Sequence, residues 1–173
     1  FIQHFSQELK TDEERDIVRF FLHQAQAYHM DHGKNIPWAV IHNDGNDHNI
    51  IVNDLGETTG VIDFGDMGYS YQAAEPAVAM AYVGLDAGDP LHCMGQVLKG
   101  YHESFQLSEK ELKFAIYLVC LRLSISVTMS AYRKKLFSQN EYITVSEAPA
   151  WEFLRRMQHQ NLTQFSEDLY DLV

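Results

Sequence analysis

Apolar residues first recur at helical spacing, with Ile17, Val18, Phe20, Phe21, Ala25 and Tyr28 on one broad face. Thr11 with Glu14 three positions on is a capping-box pattern, and Gly33 supplies a stop. The spacing predicts a helix over about residues 12–32. Pro37 then breaks the chain and the period changes. Trp38-Ala39-Val40-Ile41 reads as a short buried strand, Ile50-Ile51-Val52 as a second, and residues 59–64 as a third. Asn53 to Glu57 has turn chemistry, which joins the last two strands as a β-hairpin. Everything beyond Asp66 reads as helical. Pro76 lies in the first turn of a helix ending near residue 83, and Asp89-Pro90 opens one reaching about residue 105. Ser108 and Glu111 form a second capping box ahead of a long apolar helix to about residue 137. Pro149 opens another ending near residue 161, and residues 163–172 form a last short one. The expected fold class is α+β, mostly helical, with one small β-hairpin.

Composition narrows the function classes. The 173 residues hold 13 basic and 24 acidic side chains, a net charge of −11, and 46% are hydrophobic. That is an ordinary globular composition, and a chain of this size buries roughly 70% of its unfolded surface around one core. Excess acid repels nucleic-acid phosphates and anionic lipid, so neither nucleic acid nor membrane is an expected partner. The basic clusters Arg133-Lys134-Lys135 and Arg155-Arg156 are short and read as solvated helix faces. Cys93 and Cys120 lack paired spacing and read as small apolar residues in a reducing compartment. No run reaches the ~18 uninterrupted apolar residues of a membrane span, and no leader pattern opens the chain. A cytoplasmic location is the expectation. The first residue is Phe1 rather than Met, and the expectation is a piece of something longer.

The polar run from residue 42 to 49, His-Asn-Asp-Gly-Asn-Asp-His-Asn, lies between apolar strands and cannot be a core element. If the hairpin forms, Asn49 and Asp63 meet at its open end, and they offer an amide oxygen and a carboxylate, the donors a hard cation takes. Phosphoryl transfer uses such a set: one carboxylate receives or orients the proton of the attacking hydroxyl, and an Asn and a second Asp hold magnesium against the nucleotide phosphates. In kinases the base precedes the Asn by five positions and a DFG Asp follows on the next strand. Here Asp44 precedes Asn49 by five, and Asp63-Phe64-Gly65 follows.

These residues, with the string from Gly60 to Met67, resemble the aminoglycoside phosphotransferase and choline kinase-like superfamily, nearest its hydroxylysine kinase-like branch. The resemblance implies a protein kinase-like fold, of which residues 1–173 would form a single C-terminal catalytic lobe. It implies Asp44 as catalytic base, His42 as the brace of its loop, and Asn49 and Asp63 as ligands of magnesium bound with ATP. Glu75 stands where the family often has an Asp that steadies the loop. Asn43 departs from the Gly common between the His and the Asp. Asp47, Asp66, Tyr69, Tyr82, Arg122 and Ser126 are candidates to face the acceptor, a small hydroxyl-bearing and amine-bearing molecule. Arg122 interrupts an apolar helix and needs an anionic partner, either an acidic loop residue or a substrate carboxylate.

The family's N-terminal lobe carries a Gly-rich loop and a strand lysine, and neither precedes His42. That lobe is expected as a missing partner in cis, and weak or no kinase activity is expected of these residues alone. Two other readings remain open from the residues. One is a non-catalytic binding or regulatory domain with a kinase-like loop. The other is a His/Asp metallohydrolase, with His48 and Asp47 in a zinc cluster.

Overall fold

The computed structural model describes residues 2–85, 87–137 and 147–173. A short helix α1 (Ile2–Phe5) and a 3-10 turn (Ser6–Glu8) lead into α2 (Asp12–His32). The start of α2 is a complete capping box: Thr11 Oγ1 accepts from the Glu14 N–H at 3.1 Å, and Glu14 Oε2 accepts from the Thr11 N–H at 3.0 Å. Four strands follow, β1 (Trp38–Ile41), β2 (Ile50–Val52), β3 (Thr58–Val61) and β4 (Gly68–Tyr71). The rest is helical: α3 (Ala74–Gly84), α4 (Pro90–Ser104), α5 (Glu109–Leu136), α6 (Glu147–Gln158) and α7 (Leu162–Tyr170).

Helix α5 organises the core. Its second capping box forms as expected, with Glu111 Oε2 accepting from the Ser108 N–H at 2.8 Å. Its stretch over residues 114–120 is apolar and buried on every side, so it must be surrounded, and α2, α3, α6 and α7 all pack on the helix. Phe114, Ala115, Ile116, Val119, Cys120, Leu123 and Val127 are buried in one continuous core with Ile17 and Phe21 of α2 and Met80 of α3. Full burial of side chains such as Phe21, Met80 and Leu123 contributes about 1.5–3 kcal/mol each. By length and composition α5 matches a membrane span, but 67% of its most apolar stretch is covered by the rest of the fold. Its interior hydroxyls are satisfied locally: Ser124 donates to the Cys120 carbonyl at 2.8 Å and Thr128 to the Ser124 carbonyl at 2.7 Å.

Several boundaries differ from the sequence expectation. Helix α3 starts two residues before Pro76 and α6 two before Pro149. Proline fits there because the first turn of a helix leaves its N–H groups unpaired. Asn161 does not end α6 but caps α7, its Oδ1 accepting from the N–H groups of Thr163 and Gln164. The third strand stops at Val61, because Asp63 turns into the left-handed region at φ 62°.

The larger correction concerns the strands. Residues 68–71 are not helical; they form β4, which pairs antiparallel with β1 (Trp38 opposite Tyr71, Ile41 opposite Gly68). The sheet content is therefore two antiparallel pairs, β1–β4 and β2–β3. In the second pair Ile50 lies opposite Val61 and Ile51 opposite Gly60, with an irregularity before Val52. Nor is β1 buried throughout: Ile41 is buried, but Trp38 and Val40 on the other face are 48% and 67% exposed. The inner hairpin nests within the outer one. The connection from β1 to β2 therefore runs beside the connection from β3 to β4, and both lie at one edge of the helical body.

Candidate active site

Those two connections hold the residues singled out in the sequence. Asn43 opens the first at φ 65°, in the left-handed region. Gly enters that region freely, and Asn tolerates it better than most residues. This explains how Asn stands where the resembling family commonly has Gly. Its side chain donates to the Asp66 carbonyl at 3.2 Å, and its backbone N–H donates to Glu75 Oε2 at 3.2 Å. Glu75, in the first turn of α3, thus sits under the loop, and a Cβ at Gly45 would come within 3.0 Å of its other oxygen.

His42 joins the two connections. The Asp44 N–H points at His42 Nδ1 at 3.3 Å, and His42 Nε2 lies 2.9 Å from the Ile62 carbonyl. Nδ1 accepts, so the proton sits on Nε2 and is donated to Ile62. Phe64 meets the imidazole edge-on at 4.8 Å. A backbone bond from the Ile62 N–H to the Asn49 carbonyl, 3.0 Å, draws Asp63 beside Asn49.

Asp44 and Asn49 are coupled directly. Asn49 Nδ2 donates to both the carbonyl and Oδ2 of Asp44 at 2.9 Å each. With its nitrogen so engaged, Asn49 Oδ1 has no hydrogen-bond partner among the described residues and can serve as an oxygen ligand. Asp63 Oδ1 accepts from the Gly65 N–H at 3.4 Å, a long bond that caps the turn Phe64–Asp66, and its second oxygen has no partner among the described residues. Among the described residues Asn43 and Asp63 are the non-glycine residues at positive φ, one beside Asp44 in the chain and the other next to Ile62, which bonds to Asn49; backbone strain of this kind collects at functional sites.

Arg122 reaches the loop from α5. Its NH2 contacts Asp44 Oδ1 at 2.5 Å and the Tyr82 hydroxyl at 3.4 Å, and its NH1 donates to the Asn43 carbonyl at 3.1 Å. Both carboxylate oxygens of Asp44 are therefore engaged, one by the guanidinium and one by Asn49. Burial works against the Arg122 charge, but Tyr82 and Asp44 outweigh it and hold its pKa above the ordinary value. The acidic-partner reading of Arg122 is what the geometry shows.

Of the other candidates, Asp47 and Asp66 lie on the two connections, Tyr69 on β4 and Ser126 on α5. Asp47, His48 and Asp66 are exposed. Tyr69 is 69% exposed and stacks on Trp38 at 5.6 Å, away from the loop. Ser126 is half-buried one turn beyond Arg122. No group of three His, Cys, Asp or Glu side chains converges as a metal cluster among the described residues, so the metallohydrolase reading has no such site there. A cavity of about 370 Å³ between α2, β4, α3 and α5 escaped the sequence reading. Asn43 and Arg122 form its wall on the loop side, and Gln26, His29, Ser70 and Tyr71 line it too. The Tyr71 hydroxyl lies 2.8 Å from His29 Nδ1. Neither residue carried a motif, and only packing brings them together.

A helical body presenting a carboxylate, an amide and a second carboxylate from two nested hairpins is the C-terminal lobe of a kinase-like phosphotransferase fold. The chain belongs to the phosphotransferase enzyme family, whose sequence model matches residues 3–109. It is similar to hydroxylysine kinase of Mus musculus, 28% identical over 158 residues, or 86% of this chain and 42% of that protein. It is 26% identical to hydroxylysine kinase of Xenopus laevis over 166 residues, 90% of this chain and 44% of that protein. The figure for hydroxylysine kinase of Bos taurus is 30% over 128 residues, 69% of this chain and 34% of that protein. The chain thus spans less than half the length of these relatives, and its likeness to them agrees with the hydroxylysine kinase-like branch that the motif string resembles.

Proposed function

We propose that this chain carries the catalytic and acceptor side of an ATP- and magnesium-dependent kinase acting on a hydroxyl group of a small molecule. The observation that supports it is the coupling of Asp44 to Asn49 on one loop, with Asp63 drawn beside them by the bond from Ile62 to Asn49. Asp44 orients the acceptor hydroxyl and takes its proton. The acceptor oxygen then bonds to the γ-phosphorus while the bond from that phosphorus to the β–γ bridging oxygen breaks, and ADP leaves. Asn49 Oδ1 and the Asp63 carboxylate are hard oxygen donors and fit magnesium, which would neutralise phosphate charge when bound. His42 keeps the two connections in register, and Glu75 supports Asn43 from below.

The acceptor is an amino acid, amino alcohol or aminoglycoside, and the relatives' name, hydroxylysine kinase, favours an amine-bearing one. The net charge of −11 suits a cationic amine. The nucleotide-covering lobe lies in cis outside these 173 residues, and the protein works in the cytoplasm.

The test is Asp44→Asn in the full-length protein. Turnover of ATP with acceptor should fall by about 10²–10⁴-fold while calorimetry still detects MgATP binding. Unchanged turnover removes Asp44 from this role. Absence of nucleotide binding in the unaltered protein favours a non-catalytic domain instead.

A further inference from the structure

Arg122 is more than a prop for Asp44. Arg122 lines the cavity of about 370 Å³, and its guanidinium reaches the catalytic loop at Asp44 and Asn43. Among the residues that line this cavity it is the sole Arg, Lys, Asp or Glu. The acidic chain as a whole attracts cations, yet the formal charge on this lining is positive, and Asp44 is the carboxylate that answers it. A guanidinium has five N–H donors, and its Nε here is buried with no acceptor. A buried unmatched donor is costly, so among the described residues Arg122 is an under-satisfied group on the lining of the cavity.

We propose that Arg122 is the receptor for a carboxylate on the acceptor, and that it holds Asp44 until that carboxylate arrives. This rests on the kinase reading above and names the acceptor class as a hydroxyl-bearing amino acid. The exchange keeps the guanidinium paired, and the amino acid's own ammonium offsets the negative charge that its carboxylate adds. Asp44 leaves the guanidinium as the incoming carboxylate joins it, so no cation is left buried and unpaired. Asp44 Oδ1 is then free to receive the acceptor hydroxyl, while Asn49 keeps Oδ2 in place. An acceptor without a carboxylate leaves Arg122 on Asp44 and is phosphorylated poorly. Planar pairing with a carboxylate suits Arg better than Lys. Tyr82, with its ring 5.9 Å from the guanidinium carbon and its hydroxyl at 3.4 Å, steadies the arginine in either position.

The experiment compares acceptors in the full-length protein with MgATP. Hydroxylysine, homoserine and serine are each set beside the amino alcohol that lacks the carboxylate. The unaltered protein should prefer the best amino acid over its amino alcohol by on the order of 100-fold in kcat/KM, as expected where a polar pair is lost from a partly buried site. In Arg122→Gln that preference should collapse, chiefly through KM for the amino acid, and Arg122→Lys should restore part of it. If Arg122→Gln slows both acceptors by one common factor, or if no preference exists, the arginine only positions Asp44 and the proposal is overturned. Calorimetry separates this from failure of the kinase reading. With no turnover of any acceptor, amino-acid binding that requires the carboxylate and vanishes in Arg122→Gln still upholds the receptor. Equal binding of both members of each pair refutes it.

Discussion

His42 bonds to both sides of the candidate site at once, accepting from the Asp44 N–H and donating to the Ile62 carbonyl. One imidazole therefore couples the loop that carries Asp44 to the segment that carries Asp63. Replacing His42 by Ala should leave the half-buried Asp44 N–H and the exposed Ile62 carbonyl without these partners and lower stability by about 1 kcal/mol. It should also slow turnover, because the two loops lose their common spacer. Thermal melts and acceptor kinetics on the same variant check both halves; His42→Ala with unaltered melting refutes the brace.

Asn43 makes a prediction about backbone. At φ 65° a β-branched residue is strongly disfavoured, so Asn43→Val should cost about 2 kcal/mol or more, whereas Asn43→Gly should cost less than about 1 kcal/mol. The glycine variant loses the side-chain bond to Asp66 but gains ease at this φ. Chemical denaturation of the three proteins gives the order, and a valine variant as stable as the glycine one contradicts it.

Asp63 should govern the magnesium requirement. Asp63→Asn retains an oxygen and the bend but removes a negative charge from the donor pair, so the magnesium concentration for half-maximal turnover should rise about tenfold or more. A magnesium titration at fixed ATP reads this directly. An identical magnesium dependence would falsify the role given to Asp63.

Tyr28 provides a test by pH that leaves the site aside. It stacks on Phe114 at 4.9 Å, donates to the Lys110 carbonyl at 3.0 Å, and burial pushes its pKa up to about 12. Its folded value exceeds its unfolded value of 10.0, so the folded state binds this proton more tightly. The stabilisation is complete below pH 10 and is lost as pH rises towards 12. Melting temperature should therefore drop between pH 10 and 12, and Tyr28→Phe should drop less steeply over the same window. Parallel curves for the two proteins would show that Tyr28 does not contribute.

The helices were legible wherever their ends are local. Thr11 with Glu14 and Ser108 with Glu111 satisfy helix starts through partners three residues away, and the sequence alone displays them. Strand β4 was not legible. Its partner β1 lies about thirty positions earlier, and although the tyrosines of Gly-Tyr-Ser-Tyr alternate, a four-residue run is too short to mark a strand by itself. The exposure of Trp38 and Val40 was hidden for the same reason, since apolar residues announce burial only where something covers them.

The sequence by itself determined the helix caps, the apolar core helix α5, and the order and spacing of His42, Asp44, Asn49 and Asp63. These depend on neighbours along the chain. Tertiary structure alone decided that two nested hairpins lay the loops side by side, that Glu75 supports Asn43, and that Arg122, 78 positions from Asp44, closes on its carboxylate. Such pairings depend on where packing against α5 delivers each element, and no local pattern encodes that distance.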